Sequence, residues 1–333
     1  MHGDGIITDD IDVARQAVPH FALAPDSALR LLNLSENATY LVDDAGTGVT
    51  SVLRVHRRNY HRPHEIESEL DWLDALHSDA AGVAVPTVLP ARDGRRMVTI
   101  DVDGTPRHVV HFALVPGAEP DEATVTADDF RTLGRITAAL HDHSRSWRRP
   151  AGFGRFTWDW ESSLGAGARW GHWQQAAGVG IAELTLLDRA QDVLHHRLTE
   201  YGCGPDRFGL IHADLRLANL IVDGPDTTVI DFDDCGFSWY FYDFGAAVSF
   251  IEDDPALPRW QDAWVAGYRS RRPMTAADEE MLPSFVMLRR LKLLAWMSTH
   301  THSKESRTKA VTYARGSCVL AERYLSSNGL RLS

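Results

Sequence analysis

The stretch from Leu210 to Asp233, L-I-H-A-D-L-R-L-A-N-L-I-V-D-G-P-D-T-T-V-I-D-F-D, restricts this chain more than any other part of it. Leu210 and Ile211 lead into a polar loop that holds His212, Asp214 and Asn219. Leu220 to Val222 are an apolar run, Asp223-Gly224-Pro225-Asp226 is a turn signal, and Thr227 to Ile230 are a β-branched run ending at Asp231. Two short strands joined by a tight turn bring their outer ends together. Asn219 and Asp231 therefore meet at one end of the hairpin, and Asp214 lies on the loop facing them.

That grouping suits phosphoryl transfer, in which a hydroxyl is oriented and relieved of its proton while a cation neutralises the donor phosphates. Kinase catalytic loops have the order H-x-D-x-x-x-x-N, and His212, Asp214 and Asn219 fall on it position for position. The expected roles follow. Asp214 receives the hydroxyl proton and His212 braces the loop. Asn219 and Asp231 bind the metal, and Asp233 either helps hold a second ion or acts as a structural cap.

With I-D-F-D-D-C-G-F and then Y-D-F after the hairpin, the chain resembles the aminoglycoside phosphotransferase/choline kinase family, most of all its bacterial stress-response kinase A-like branch. The resemblance implies an α+β, bilobal, protein-kinase-like fold. Residues 1–116 would form a small antiparallel-sheet lobe with a hinge near 112–117, and residues 117–333 a mostly helical lobe. It implies ATP or GTP as donor, with Mg²⁺. The corner at Ser35-Glu36-Asn37 would cover the phosphates, with Ser35 and Asn37 as candidate contacts. Arg54 stands where kinases carry a phosphate-binding lysine, with Glu69 of S-E-L as its partner. Phe112, Leu114 and Val115 would meet the purine, and Asp243 would anchor the catalytic loop.

Around these residues the pattern is regular. A helix is expected near Ile11, then strands over Leu31 to His56, and a helix in which Ile66, Leu70, Leu73 and Leu76 share a face. Val83 to Val115 read as further strands of the same sheet, broken by Pro116-Gly117. Arg57, Arg58, His61 and His64 read as a solvated basic rim. Helices follow: one capped by Asp128 or Asp129 and ending at His141, another over Leu186 to Tyr201, and three more toward the C-terminus.

Two segments suggest a cationic acceptor, and each has a plainer alternative. Trp158, Asp159 and Trp160 interleave aromatic faces with a carboxylate, which suits a cation, or they pack an irregular insert against the core. The resemblance implies that Glu252 and Asp253 would receive substrate amines; the alternative is an acidic helix exit.

The formal net charge of −12 argues against a nucleic-acid or anionic-membrane partner. Three scattered cysteines fit neither a disulfide framework nor a zinc site, and suggest a reducing cytoplasm. The apolar run from Met287 to Met297 is interrupted by Arg289, Arg290 and Lys292, so no membrane span is expected. Only a short stretch separates Asp231 from Asp243, which leaves no bed for an extended peptide. A nucleoside triphosphate and a small, hydroxylated, cationic molecule are the expected ligands. The alternatives are a stress-response-type Ser/Thr protein kinase, a nucleotide-binding pseudokinase and a D-x-D glycosyltransferase. Oligomeric state is not legible.

Overall fold

The computed structural model describes residues 3–34, 37–121, 124–301, 303–330 and 332, without the side chains of 3–8 and 304. The N-terminal part contains α1 (Gly3–Ala17), β1 (Ala28–Leu34), β2 (Ala38–Asp43), β3 (Thr50–Val55), α2 (Pro63–Ser78), β4 (Met97–Val102) and β5 (Thr105–Ala113). The strands form one antiparallel sheet in the order β1-β2-β3-β5-β4. Side chains alternate between its faces. Tyr40, Val42, Leu53, Val55, Val98 and Val109 meet Val13 and Phe21 on the α1 side. Val110 and Phe112 enter a larger core that includes Ile66, Leu70 and Leu73 of α2. Arg54 lies between Leu53 and Val55, and so faces α2.

The segment 83–90 is not a strand of that sheet, contrary to its β-branched composition. Pro86 and Pro90 lack the N–H that a ladder requires, and only isolated bridges form, Ala84 with Thr228 and Val88 with Phe112.

The C-terminal part runs α3 (Ala127–Ser146), α4 (Trp160–Ser163), α5 (Ile181–Tyr201), β6 (Phe208–Ile211), β7 (Leu220–Asp223), β8 (Asp226–Val229), β9 (Gly236–Trp239), α6 (Tyr242–Ala247), α7 (Leu257–Arg269), α8 (Ala276–Glu279), α9 (Leu282–Thr299) and α10 (Lys304–Ser326). Thr126 is the N-cap of α3, and Asp129 closes a capping box back onto it. The helix passes the expected end at His141 by more than a turn, because no breaker intervenes before Ser146.

Two seams position the β7–β8 hairpin. Ala118 pairs with Val222 through two backbone hydrogen bonds of 3.0 and 2.9 Å, and the Val229 N–H donates to the Ala84 carbonyl at 2.9 Å. The first seam needs Gly117. Its φ is +116°, and a Cβ there would lie 2.4 Å from the Val222 carbonyl oxygen. The chain leaving the sheet is thus stitched directly to the hairpin that carries Asp231.

Candidate active site

The catalytic-loop candidate grows from β6, which is paired antiparallel with β9. Its turn places Ala213 in the left-handed region, φ +65°. Buried Asp243 holds that turn. Its Oδ1 accepts the Ala213 N–H at 2.8 Å, and its Oδ2 accepts from His141 Nε2 at 3.0 Å. His141 Nδ1 completes the chain with the Tyr268 hydroxyl at 3.1 Å.

His212 is fully buried, and burial lowers its pKa, so the ring is neutral. Nδ1 accepts the Asp214 N–H at 3.3 Å, which leaves Nε2–H to donate to the Ile230 carbonyl at 3.1 Å. The ring ties the loop to the hairpin exit and faces no open space.

Asp214 is gripped on both oxygens. Asn219 Nδ2 donates 2.7 Å bonds to its Oδ2 and to its main-chain carbonyl. Arg289 Nη2, from α9, donates to Oδ1. Arg289 is itself buried and also donates to Ser249 Oγ, the Tyr242 hydroxyl and the Ala213 carbonyl. The hairpin closes as expected, the Ile230 N–H donating to the Asn219 carbonyl at 2.9 Å, so Asn219 and Asp231 are neighbours.

Asp231 has φ +61° and enters no hydrogen bond or ion pair among the described residues. Confinement in the cleft, and then the neighbouring Asp233, push its carboxyl up to about 8, against the pull of Arg54. The side chain still meets solvent, and water offsets part of that penalty. An unpaired carboxylate crowded by other acids suits a divalent cation. Asn219 uses its amide nitrogen on Asp214, so its oxygen is the outward acceptor. No cluster of three or more His, Cys, Asp or Glu among the described residues forms a complete metal centre.

Asp233 is turned into the fold. It is buried with both oxygens turned to imidazoles, 3.2 Å from His61 Nε2 and 3.5 Å from His56 Nδ1. His61 is therefore not part of a solvated rim, although Arg57, Arg58 and His64 are exposed as expected. Burial alone would lower His61, but Asp233 outweighs it and pushes the ring up to about 9. Burial, reinforced by Arg54, pushes His56 down to about 4.

Arg54 Nη2 donates to Glu69 Oε1 at 2.8 Å, and its guanidinium lies 5.0 Å from the Phe112 ring centroid. Phe112 is therefore committed. Its ring is under Arg54 and its backbone is paired with Val52 and Val88, which leaves Leu114, 43% exposed, and half-buried Val115 on the open rim. In the corner, Ser35 and Glu36 lie outside the described residues. Asn37 is buried, and its Oδ1 accepts the Arg57 N–H at 2.9 Å, so that side chain ties two strands and does not project outward.

The five candidates for a cationic substrate are internally engaged. Trp158 is 1% exposed and donates Nε1–H to the Asp234 carbonyl, with Lys292 Nζ 3.8 Å from its ring centroid. Asp159 caps α4 through the Ser162 N–H at 2.9 Å, and Trp160 stacks on His195 at 4.1 Å. Glu252 accepts 2.7 Å bonds from Arg290 and from the Tyr313 hydroxyl, and Asp253 accepts from Arg290 at 3.2 Å. Trp158 and Glu252 are buried in these contacts, Asp159 and Trp160 are half-buried, and Asp253 stays exposed.

Sequence reasoning missed Arg289, Lys292 and Tyr60, whose hydroxyl donates to Asp234 Oδ1 at 2.8 Å. A signal existed for the first two. Three cations inside an otherwise apolar helical run cannot be buried without a role. No helix among the described residues is long and apolar enough to cross a membrane.

A sheet with a buried Arg–Glu pair, set over a loop and hairpin that converge Asp, Asn and Asp, defines a phosphotransferase of the protein-kinase-like class. The chain belongs to the phosphotransferase enzyme family, whose model matches residues 28–279. It is similar to the solved structure of the microcompartment-associated aminopropanol kinase, with 68% identity and a TM-score of 0.91, over 97% of this chain and 100% of that one. Amicoumacin kinase of Bacillus subtilis (strain 168) is 25% identical over 292 residues, 84% of this chain and 82% of that protein. Homoserine kinase of Pseudomonas aeruginosa (strain LESB58) is 29% identical over 237 residues, 69% of this chain and 67% of that protein. The enzyme is a small-molecule kinase that acts on a hydroxyl group.

Proposed function

We propose that this enzyme transfers the γ-phosphoryl group of a nucleoside triphosphate to the hydroxyl of a compact amino alcohol of the aminopropanol type. The convergence of Asp214, Asn219 and unpaired Asp231 carries the reaction class. The likeness to the aminopropanol kinase supports the acceptor, and the net charge of −12 suits a cationic one. Residues 1–116 form the nucleotide-covering lobe and 117–333 the catalytic lobe, with Leu114 and Val115 at the purine edge.

Asp214, fixed by Arg289 and Asn219, orients the acceptor hydroxyl and takes its proton as the new O–P bond forms and the nucleoside diphosphate leaves. Arg54, steadied by Glu69, holds the phosphates that are not transferred. Asn219 and Asp231 would hold Mg²⁺, which when bound would neutralise charge on the donor phosphates. Fixed charges and positioning do most of the work in such a site.

The test is phosphoryl transfer from ATP and from GTP to 1-amino-2-propanol, homoserine and a protein hydroxyl substrate. Transfer to the amino alcohol is expected, and Asp214→Asn should cut kcat by about a hundredfold or more while nucleotide binding persists. Undiminished turnover in that variant would remove Asp214 from the mechanism.

A further inference from the structure

Lys292 follows Arg289 by three positions on α9, so the two side chains share a helix face. It is 1% exposed, and its Nζ has no hydrogen-bond partner among the described residues. Three rings from separate parts of the chain surround that nitrogen. The centroids of Trp158, Tyr242 and Trp170 lie 3.8, 4.5 and 4.8 Å away.

Two of these rings also touch Arg289. The Trp170 centroid is 5.3 Å from the guanidinium, and the Tyr242 hydroxyl accepts from Nη1 at 3.3 Å. Because Arg289 grips Asp214, the ring cluster lies one side chain away from the proposed base. Asp234 and Asp214 attract the Lys292 amine, while Arg289 and Arg169 repel it. Burial, followed by Arg289, pushes the amine well below the usual lysine range.

Aromatic faces beside carboxylates are the chemistry that recognises an alkylammonium group. In this protein the chain's own amine already fills that place. We propose that Lys292 is a specificity-determining residue that plugs an alkylammonium box beside Asp214. The plug denies the box to N-alkylated and quaternary head groups. Such groups have few or no N–H bonds to donate and depend on aromatic faces, whereas a primary ammonium can be held by hydrogen bonds alone. Compact primary amino alcohols are therefore accepted and their trimethylammonium analogues are not. This inference rests on the amino-alcohol reading above.

The experiment compares the full-length wild type, Lys292→Ala and Lys292→Met with ATP and Mg²⁺. Two acceptors are used, 1-amino-2-propanol and its N,N,N-trimethyl analogue, and kcat/KM is read for each. In parallel, millimolar n-propylammonium and n-propanol are titrated against tryptophan fluorescence and the thermal midpoint. Emptying the box in Lys292→Ala should shift the kcat/KM ratio toward the trimethylated acceptor by about tenfold or more. The same variant should bind n-propylammonium in preference to n-propanol. Lys292→Met, which refills the box without nitrogen, should keep the wild-type ratio.

An unchanged ratio in Lys292→Ala, or a ratio in Lys292→Met that moves as far as in the alanine variant, overturns the proposal. If Lys292→Ala is too unstable for kinetics, selective stabilisation by n-propylammonium over n-propanol supports the box, and equal effects of the two refute it. Failure of the wild type to phosphorylate either acceptor would refute the amino-alcohol reading instead, and the binding arm would still decide the box.

Discussion

Replacing Glu69 by alanine removes half of the buried pair that joins β3 to α2. Glu69 is fully buried, and the 2.8 Å bond to Arg54 is its side chain's one hydrogen bond among the described residues. The alanine leaves a buried guanidinium without its nearest counter-charge, a defect that costs roughly 3–5 kcal/mol. Asp233 and Asp231 still attract Arg54, which sets the loss toward the lower end. At about 2.1 cal/mol/K per residue, 333 residues unfolding in one transition have an entropy near 0.7 kcal/mol per kelvin, so Tm should fall by roughly 4–7 °C.

The double variant Arg54→Met, Glu69→Leu separates stability from function. It exchanges the whole pair for apolar side chains of similar bulk, so most of the lost stability should return. Nucleotide KM should nevertheless stay raised by about tenfold or more, because the phosphate-side guanidinium is gone. Scanning calorimetry and steady-state kinetics read the two effects. A shift below about 1 °C in Glu69→Ala, or wild-type nucleotide KM in the double variant, would refute the reasoning.

Three further outcomes are expected. His61 is raised from an unfolded value near 6.5 to about 9, so its pairing with Asp233 adds stability below pH 6.5 that is lost as pH rises through 9. The span is about 3 kcal/mol at most, and it should vanish from a Tm-versus-pH curve in His61→Gln. Asp231→Asn should raise the apo-protein Tm at neutral pH, because it removes a crowded carboxylate, yet cut turnover by about a hundredfold; a lowered Tm would count against the crowding. Gly117→Ala, driven into the Val222 carbonyl at positive φ, should cost more than about 1 kcal/mol in chemical denaturation, whereas a neutral effect would show that the seam yields.

Much of the fold was legible because its signals are local. The hairpin from Leu220 to Val229 is set by a turn sequence and β-branched runs, and its closure brings Asn219 to Asp231 without help from distant residues. For α2, apolar spacing was enough to place the helix, whereas Glu69 as the partner of Arg54 came from the family resemblance of S-E-L. Legibility failed where the partner is remote in sequence. The segment 83–90 has strand-like composition, but its backbone partners are Thr228 and Phe112, and its prolines decide against a ladder. Asp233 has the spacing of a second metal ligand, yet two histidines from the β3–α2 connection claim both of its oxygens.

The least legible part of the site is α9, and electrostatics explains why it is built as it is. Asp214, Asp231, Asp233 and Asp234 crowd one end of the hairpin and loop, and this concentration of negative charge must be offset from within. Arg54 and His61 answer from the sheet side, while Arg289 answers from the helical side. A core helix is the natural source for that guanidinium, since it is rigid and already buried against α6. Arg289 therefore appears in the sequence as an interruption of an apolar run, far from the loop it serves, and only the three-dimensional pairing with Asp214 reveals its purpose. The excess of acids that makes the site able to take a cation is what requires a buried guanidinium in the helix behind it.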